Sequence, residues 1–126
     1  MARIVVIDDS KLMRNLLRLI LEQAGYEVEV WEEVTAVEIP DRISVGNPDL
    51  VITDYQMPAS NGLTVARMAR KTKPGLPVIV VTASRDPSVL DSLNRVDVTH
   101  ILHKPIQAEE LLKVVRQGLQ EHEIKD

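Results

Sequence analysis

Short apolar runs rich in β-branched residues alternate along this chain with stretches whose apolar positions recur every three or four residues. That alternation predicts βαβ units around a parallel sheet covered on both faces. The first run is Arg3 to Ile7. Ser10 stands where a helix N-cap belongs, and Met13, Leu17, Ile20 and Ala24 follow at helical spacing, widened by Leu12, Leu16 and Leu19. Gly25 is expected to close that helix in the left-handed conformation. Glu27 to Trp31 alternates acidic and apolar residues, which predicts a strand nearer the edge than the wholly apolar Leu50 to Ile52 and Val78 to Val81.

Gly62 to Lys71 predicts a helix with Leu63, Ala66 and Ala69 on one face, ended by Pro74-Gly75. Asp86-Pro87 supplies an N-cap and a first-turn proline for a short helix through Val89, Leu90 and Leu93. A last strand, about His100 to His103, runs into Lys104-Pro105 and then a helix from about Ala108, faced inward by Leu111, Leu112, Val115 and Leu119. Pro40 falls within Val34 to Asn47, where the second helix is due, and removes a backbone donor. That helix is expected to be short, kinked or displaced. Glu121 to Asp126 is polar and expected to fray, with His122 in solvent.

The 126 residues fit one domain, and no repeat or linker divides them. Residues 1–122 are expected to form it, with 123–126 as a polar tail. The absence of cysteine excludes disulfides and thiolate metal sites. No apolar run approaches the ~20 residues of a membrane span, and the start is too short for a secretory signal, so a cytoplasmic location is expected. A formal net charge of -4 argues against a general nucleic-acid footprint.

In an open parallel sheet, ligands bind in the crevice at the carboxyl ends of the strands. Asp8 and Asp9, Asp54, Thr82 and Lys104 follow the first, third, fourth and fifth strands. Carboxylates brought together raise one another's pKa unless a cation sits among them. Magnesium suits that role because it takes hard oxygen ligands and couples carboxylates to phosphate. Lys104 can neutralise a phosphoryl oxygen and the Thr82 hydroxyl can donate to another. Together they make a phosphoryl-transfer site with an aspartate as acceptor.

The order Ile-Val-Val-Ile-Asp8-Asp9-Ser, then Pro48 to Asp54-Tyr-Gln-Met-Pro58 with Gly62, then Val-Val-Thr82-Ala83-Ser84, then Lys104-Pro105, resembles the CheY-like receiver domain of response regulators over essentially the whole chain. The resemblance implies a flavodoxin-like (βα)5 fold with a five-stranded parallel sheet of order 2-1-3-4-5. It implies Asp54 as phosphoacceptor, Asp9 as direct magnesium ligand, Asp8 as a ligand largely through water, and the Gln56 backbone carbonyl as a further oxygen. Thr82 resembles the switch hydroxyl and Lys104 the lysine that pairs with the phosphoryl group. Gln56 and Ser84 occupy the two positions that tune the slow loss of phosphate to water, and Pro105 is expected to follow a cis peptide bond. The implied partners are a histidine kinase or phosphotransfer protein and a downstream protein target at the face of the fourth helix, fifth strand and fifth helix.

Position 101, usually aromatic in that family, is Ile101, whose branched side chain is stiff at χ1. A neighbour such as His100 is then the expected replacement for the ring, if any. A phosphorylation-independent adaptor on the same fold is the second reading. A phosphatase of the haloacid-dehalogenase kind is the third, and it fits less well because that family places a second Asp two positions after its nucleophile, where this chain has Ser10 after Asp8. His100 and His103, three apart on one strand, point to opposite faces and do not make a zinc pair. Met57 and Met68 read as core filler, and Trp31 carries no assigned role.

Overall fold

The computed structural model describes the backbone of residues 1–125 and the side chains of 1–121. Five strands, β1 (Arg3–Ile7), β2 (Glu27–Trp31), β3 (Leu50–Asp54), β4 (Val78–Thr82) and β5 (His100–His103), alternate with five helices. The helices are α1 (Lys11–Gln23), α2 (Ile39–Gly46), α3 (Gly62–Thr72), α4 (Pro87–Arg95) and α5 (Ala108–Lys125). Every pairing is parallel and the strand order is β2-β1-β3-β4-β5, the flavodoxin-like arrangement expected from the resemblance. Asp126, the side chains of the expected 123–126 tail and that of His122 lie outside the described residues.

Successive strand residues point to opposite faces, so each apolar strand feeds two cores. Val5, Ile7, Val51, Val78 and Val80 meet Ile39 and Ile43 of α2, Val65, Ala66 and Ala69 of α3, and Leu93 of α4. Ile4, Val6, Leu50, Ile52, Ile79 and Val81 meet Leu17 and Leu21 of α1 and Leu111 and Val115 of α5. Each such aliphatic side chain contributes about 1.5–3 kcal/mol on burial, so the doubly covered β1, β3 and β4 form the firm centre. β3 and β4 are buried at all five positions, whereas β5, at the edge, buries only Leu102.

The N-cap expectations hold in detail. Ser10 accepts from the Met13 N–H at 3.3 Å, and Asp86 accepts from the Ser88 N–H at 2.9 Å with Pro87 opening α4. Gly25 takes φ +97 after α1. The face of α1 is narrower than its apolar positions suggest. Leu17 and Leu21 are buried and Met13 and Ile20 pack partly against them, while Leu12, Leu16 and Leu19 are 79%, 41% and 55% exposed. One residue's rotation of about 100° carries the 12/16/19 row off the sheet. Ala24 is the exposed C-cap, so it belongs to neither row.

Pro40 does not interrupt α2; it stands in the first turn, where no helical partner for an N–H exists. The helix is short, eight residues, because Pro40 sets where it begins and Asn47, at φ 44, where it ends. Trp31 is buried beneath Arg42, whose guanidinium lies 4.3 Å from the ring centroid, and its Nε1 donates to Glu29 at 2.7 Å. None of the described helices is long and apolar enough to cross a membrane.

Candidate functional site

The strands that build the firm centre also end together. Asp54 and Thr82 are the last residues of β3 and β4, two positions and one position further along their strands than the apolar runs alone indicate. Asp8 follows β1 and Lys104 follows β5. Two segments far apart in sequence, the end of β1 and the end of β3, bring carboxylate oxygens of Asp8, Asp9 and Asp54 within 4.8 Å of one another. Asp8 and Asp54 are buried and Asp9 is exposed at the rim.

Local hydrogen bonds fix these groups. Asp8 Oδ1 accepts the Ser10 N–H at 2.8 Å, so the start of α1 orients the first carboxylate. Asp54 Oδ1 accepts the Tyr55 N–H at 2.9 Å and lies 3.2 Å from Lys104 Nζ. Lys104 is itself placed by its backbone, whose N–H donates to the Thr82 carbonyl at 2.9 Å, and its peptide bond to Pro105 is cis. The Thr82 hydroxyl oxygen accepts the Ser84 N–H at 3.0 Å.

Burial pushes the Asp8 carboxyl above the usual carboxylate range, and the charge of Asp54 adds to it; the Ser10 N–H and Lys104 act the other way without cancelling it. Two buried carboxylates and an exposed third, with one ammonium between them, leave excess negative charge in a polar crevice. That donor set is all hard oxygen, and it fits a divalent cation such as magnesium. Beside it, Asp54, Gln56, Thr82, Ala83, Ser84 and Lys104 line a cavity of about 340 Å³. Gln56 is exposed at its mouth, and its bridge to Asn61 ties the loop after β3 to the cap of α3.

Three features were not singled out from the sequence as part of the site. The Arg14 guanidinium donates to the Asp8 carbonyl at 2.8 Å, one turn into α1; the only sequence signal is a cation four residues after the cap. A Cβ on Gly62 would stand 2.9 Å from the Asp54 carbonyl oxygen and 3.0 Å from Tyr55 Cα, so α3 begins against the acceptor strand. His103, not His100, faces the same side of β5 as Ile101 and has Thr82 as its cross-strand partner.

The model of the response regulator receiver domain matches residues 4–116. The response regulator MprA of Mycobacterium sp. (strain KMS) is 40% identical over 116 residues, which are 90% of this chain and 49% of that protein. The chain thus spans about half the length of the curated relatives it matches. A CheY-like receiver domain protein from Methanospirillum hungatei JF-1 superposes with a TM-score of 0.91 at 27% identity, over 100% of this chain and 99% of that one. For the chemotaxis protein CheY4 of Vibrio cholerae the TM-score is 0.84 at 29% identity, over 94% of this chain and 99% of that one. With the sheet order, the acidic cluster and these similarities in agreement, the chain belongs to the response regulator receiver domain family, a phosphoacceptor signalling module of two-component systems and not a conventional enzyme.

Proposed function

We propose that Asp54 is the phosphoacceptor of a magnesium-dependent switch. The observation that carries the reading is the meeting of Asp8, Asp9 and Asp54 within 4.8 Å, with Lys104 Nζ 3.2 Å from the acceptor. A carboxylate oxygen of Asp54 attacks phosphorus in line. The new bond is Asp54 O–P; the bond that breaks joins phosphorus to an imidazole nitrogen of the donor, which leaves with a proton. Lys104 stabilises the charge that develops on a phosphoryl oxygen, and Thr82 donates to another. Asp9, Asp54 and the Gln56 carbonyl would hold a magnesium ion, with Asp8 acting largely through water. When bound, it neutralises the carboxylates and the phosphoryl oxygens.

Gln56 and Ser84 line the cavity through which water would reach the phosphoryl group, and they set how slowly it is lost. The donor is a histidine kinase or phosphotransfer protein, and the setting is cytoplasmic. The exposed Leu12, Leu16 and Leu19 begin one turn from Asp9 and offer that donor an apolar hold. The downstream partner is a protein reading the surface of α4, β5 and α5. With acetyl phosphate and magnesium, one phosphoryl mass is expected on the wild type and none on Asp54→Asn. Equal labelling of both would refute the acceptor assignment, and a partner bound equally by both forms would favour the adaptor.

A further inference from the structure

We propose that His103 is a positioning residue for Thr82 and that, in place of a ring at position 101, it links the phosphoryl site to the α4-facing surface of β5. The proposal rests on the reading of Asp54 as acceptor and Thr82 as the responding hydroxyl. Ile101 packs into the core shared with α2, α3 and α4, and Leu102 into the core shared with α1 and α5. By strand alternation His100 lies on the side of Leu102 and His103 on the side of Ile101. His100 pairs with Ile79, three residues before Thr82, so it is not beside the site. His103 pairs with Thr82 itself. Parallel neighbours stand about 4.8 Å apart with side chains on one face, which puts the His103 and Thr82 side chains next to each other on the sheet.

Both partners have unspent hydrogen-bonding capacity. His103 Nε2 is buried and has no hydrogen-bond partner among the described residues. Buried polar atoms are nearly always paired, and one that is not calls for an explanation. His100 Nε2 is buried and unpaired as well, so an orphaned nitrogen alone assigns nothing. What distinguishes His103 is the hydroxyl beside it. Thr82 is 3% exposed, and its oxygen accepts one N–H, from Ser84. A hydroxyl carries one donor and two acceptor sites, so a proton and a lone pair remain.

A phosphoryl group on Asp54 takes the Thr82 proton as a hydrogen bond. The lone pair left on Thr82 Oγ1 then accepts from His103 Nε2–H, giving a series that runs from imidazole to hydroxyl to phosphoryl oxygen. No proton is transferred. Each bond polarises the next, so phosphorylation strengthens the imidazole contact and fixes a ring whose Nε2 is otherwise unpaired, on the face of β5 turned to α4. Ile101 can neither donate nor rotate freely, and it leaves this role to its neighbour.

The test is imidazole nitrogen NMR on the full chain with magnesium, before and after addition of beryllofluoride as the phosphoryl mimic. The His103 Nε2 signal is expected to move and its N–H to become protected, with His100 unchanged. If the Asp54 and Thr82 backbone signals respond while the His103 ring nitrogens do not, the inference is overturned and the acceptor reading stands. If none of them responds, the acceptor reading falls and takes the inference with it. His103→Leu is expected to shorten the life of the phosphorylated form about two- to tenfold, the range that loss of one neutral hydrogen bond produces. His103→Gln, which keeps an N–H donor, is expected to restore it. A wild-type lifetime in His103→Leu, or equal shortening in both variants, would overturn the inference.

Discussion

β3 and β5 flank β4 and both end at the site, but they are built to different standards. β3 is buried at every position, lies at the centre of the sheet and ends in Asp54. β5 is an edge strand with one buried residue and hands over to Lys104, whose side chain is 33% exposed. The acceptor therefore stands on the part of the fold with the highest cost of distortion, with the answering Thr82 beside it on buried β4, while Lys104 and His103 stand on the edge strand and its exit, where distortion costs least. A switch needs that division: a nucleophile held in place and a surface able to move once its charge changes.

The largest effect is expected from removing the cation at the edge strand. Lys104→Ala should cost phosphoryl uptake from acetyl phosphate about one to two orders of magnitude, the worth of a charged hydrogen bond, with little change in thermal stability. An unaltered rate would mean that β5 has no part in the chemistry. The firm side is tested by its cation. At a hundredfold excess over Kd, magnesium should stabilise the protein by about 2.7 kcal/mol, about 10 °C in Tm at this chain length. A melting curve indifferent to saturating magnesium would remove the metal from the account.

A third test crowds the firm side. Gly62→Ala places a methyl against the Asp54 carbonyl and Tyr55 backbone, neither of which can move aside easily. It should lower stability by about 1–3 kcal/mol in denaturant melts and slow phosphorylation as well. A fully stable variant would show that the end of β3 yields more than its burial suggests.

Smaller effects separate charge from packing. The raised pKa of Asp8 means that the native state binds this proton more tightly than the unfolded chain does. Its ionised form therefore works against folding at neutral pH, and that penalty is relieved as pH falls through the raised pKa toward the ordinary carboxylate value. Asp8→Asn should accordingly melt higher than wild type at pH 7 without magnesium. The gap should close on acidification, and the order should reverse with saturating magnesium. Replacing Leu12, Leu16 and Leu19 by Ser should slow transfer from a protein donor while leaving labelling by acetyl phosphate unchanged. Equal loss with both donors would show that α1 serves stability instead.

Much of this was legible in the sequence because strand ends and chemistry coincide. Apolar runs that stop at Asp8, Asp54, Thr82 and Lys104 mark the crevice without coordinates. The strand order followed from the resemblance. What could not be read depends on direction in space. The apolar residues of α1 outnumber what one helix face can bury, so spacing alone does not tell Leu21 from Leu19. Pro40 reads as a breaker until the start of α2 is known. The pairing of His103 with Thr82 is a matter of register between two strands, which no single strand's pattern encodes.

The most direct test of the central claim is a structure of the protein with magnesium and a phosphoryl group, or its beryllofluoride mimic, in place. The account predicts that group on a carboxylate oxygen of Asp54, touched by Lys104 Nζ and the Thr82 hydroxyl, with the cation against Asp9 and Asp54. A phosphoryl group on another side chain, or a cation bound away from these carboxylates, would contradict it.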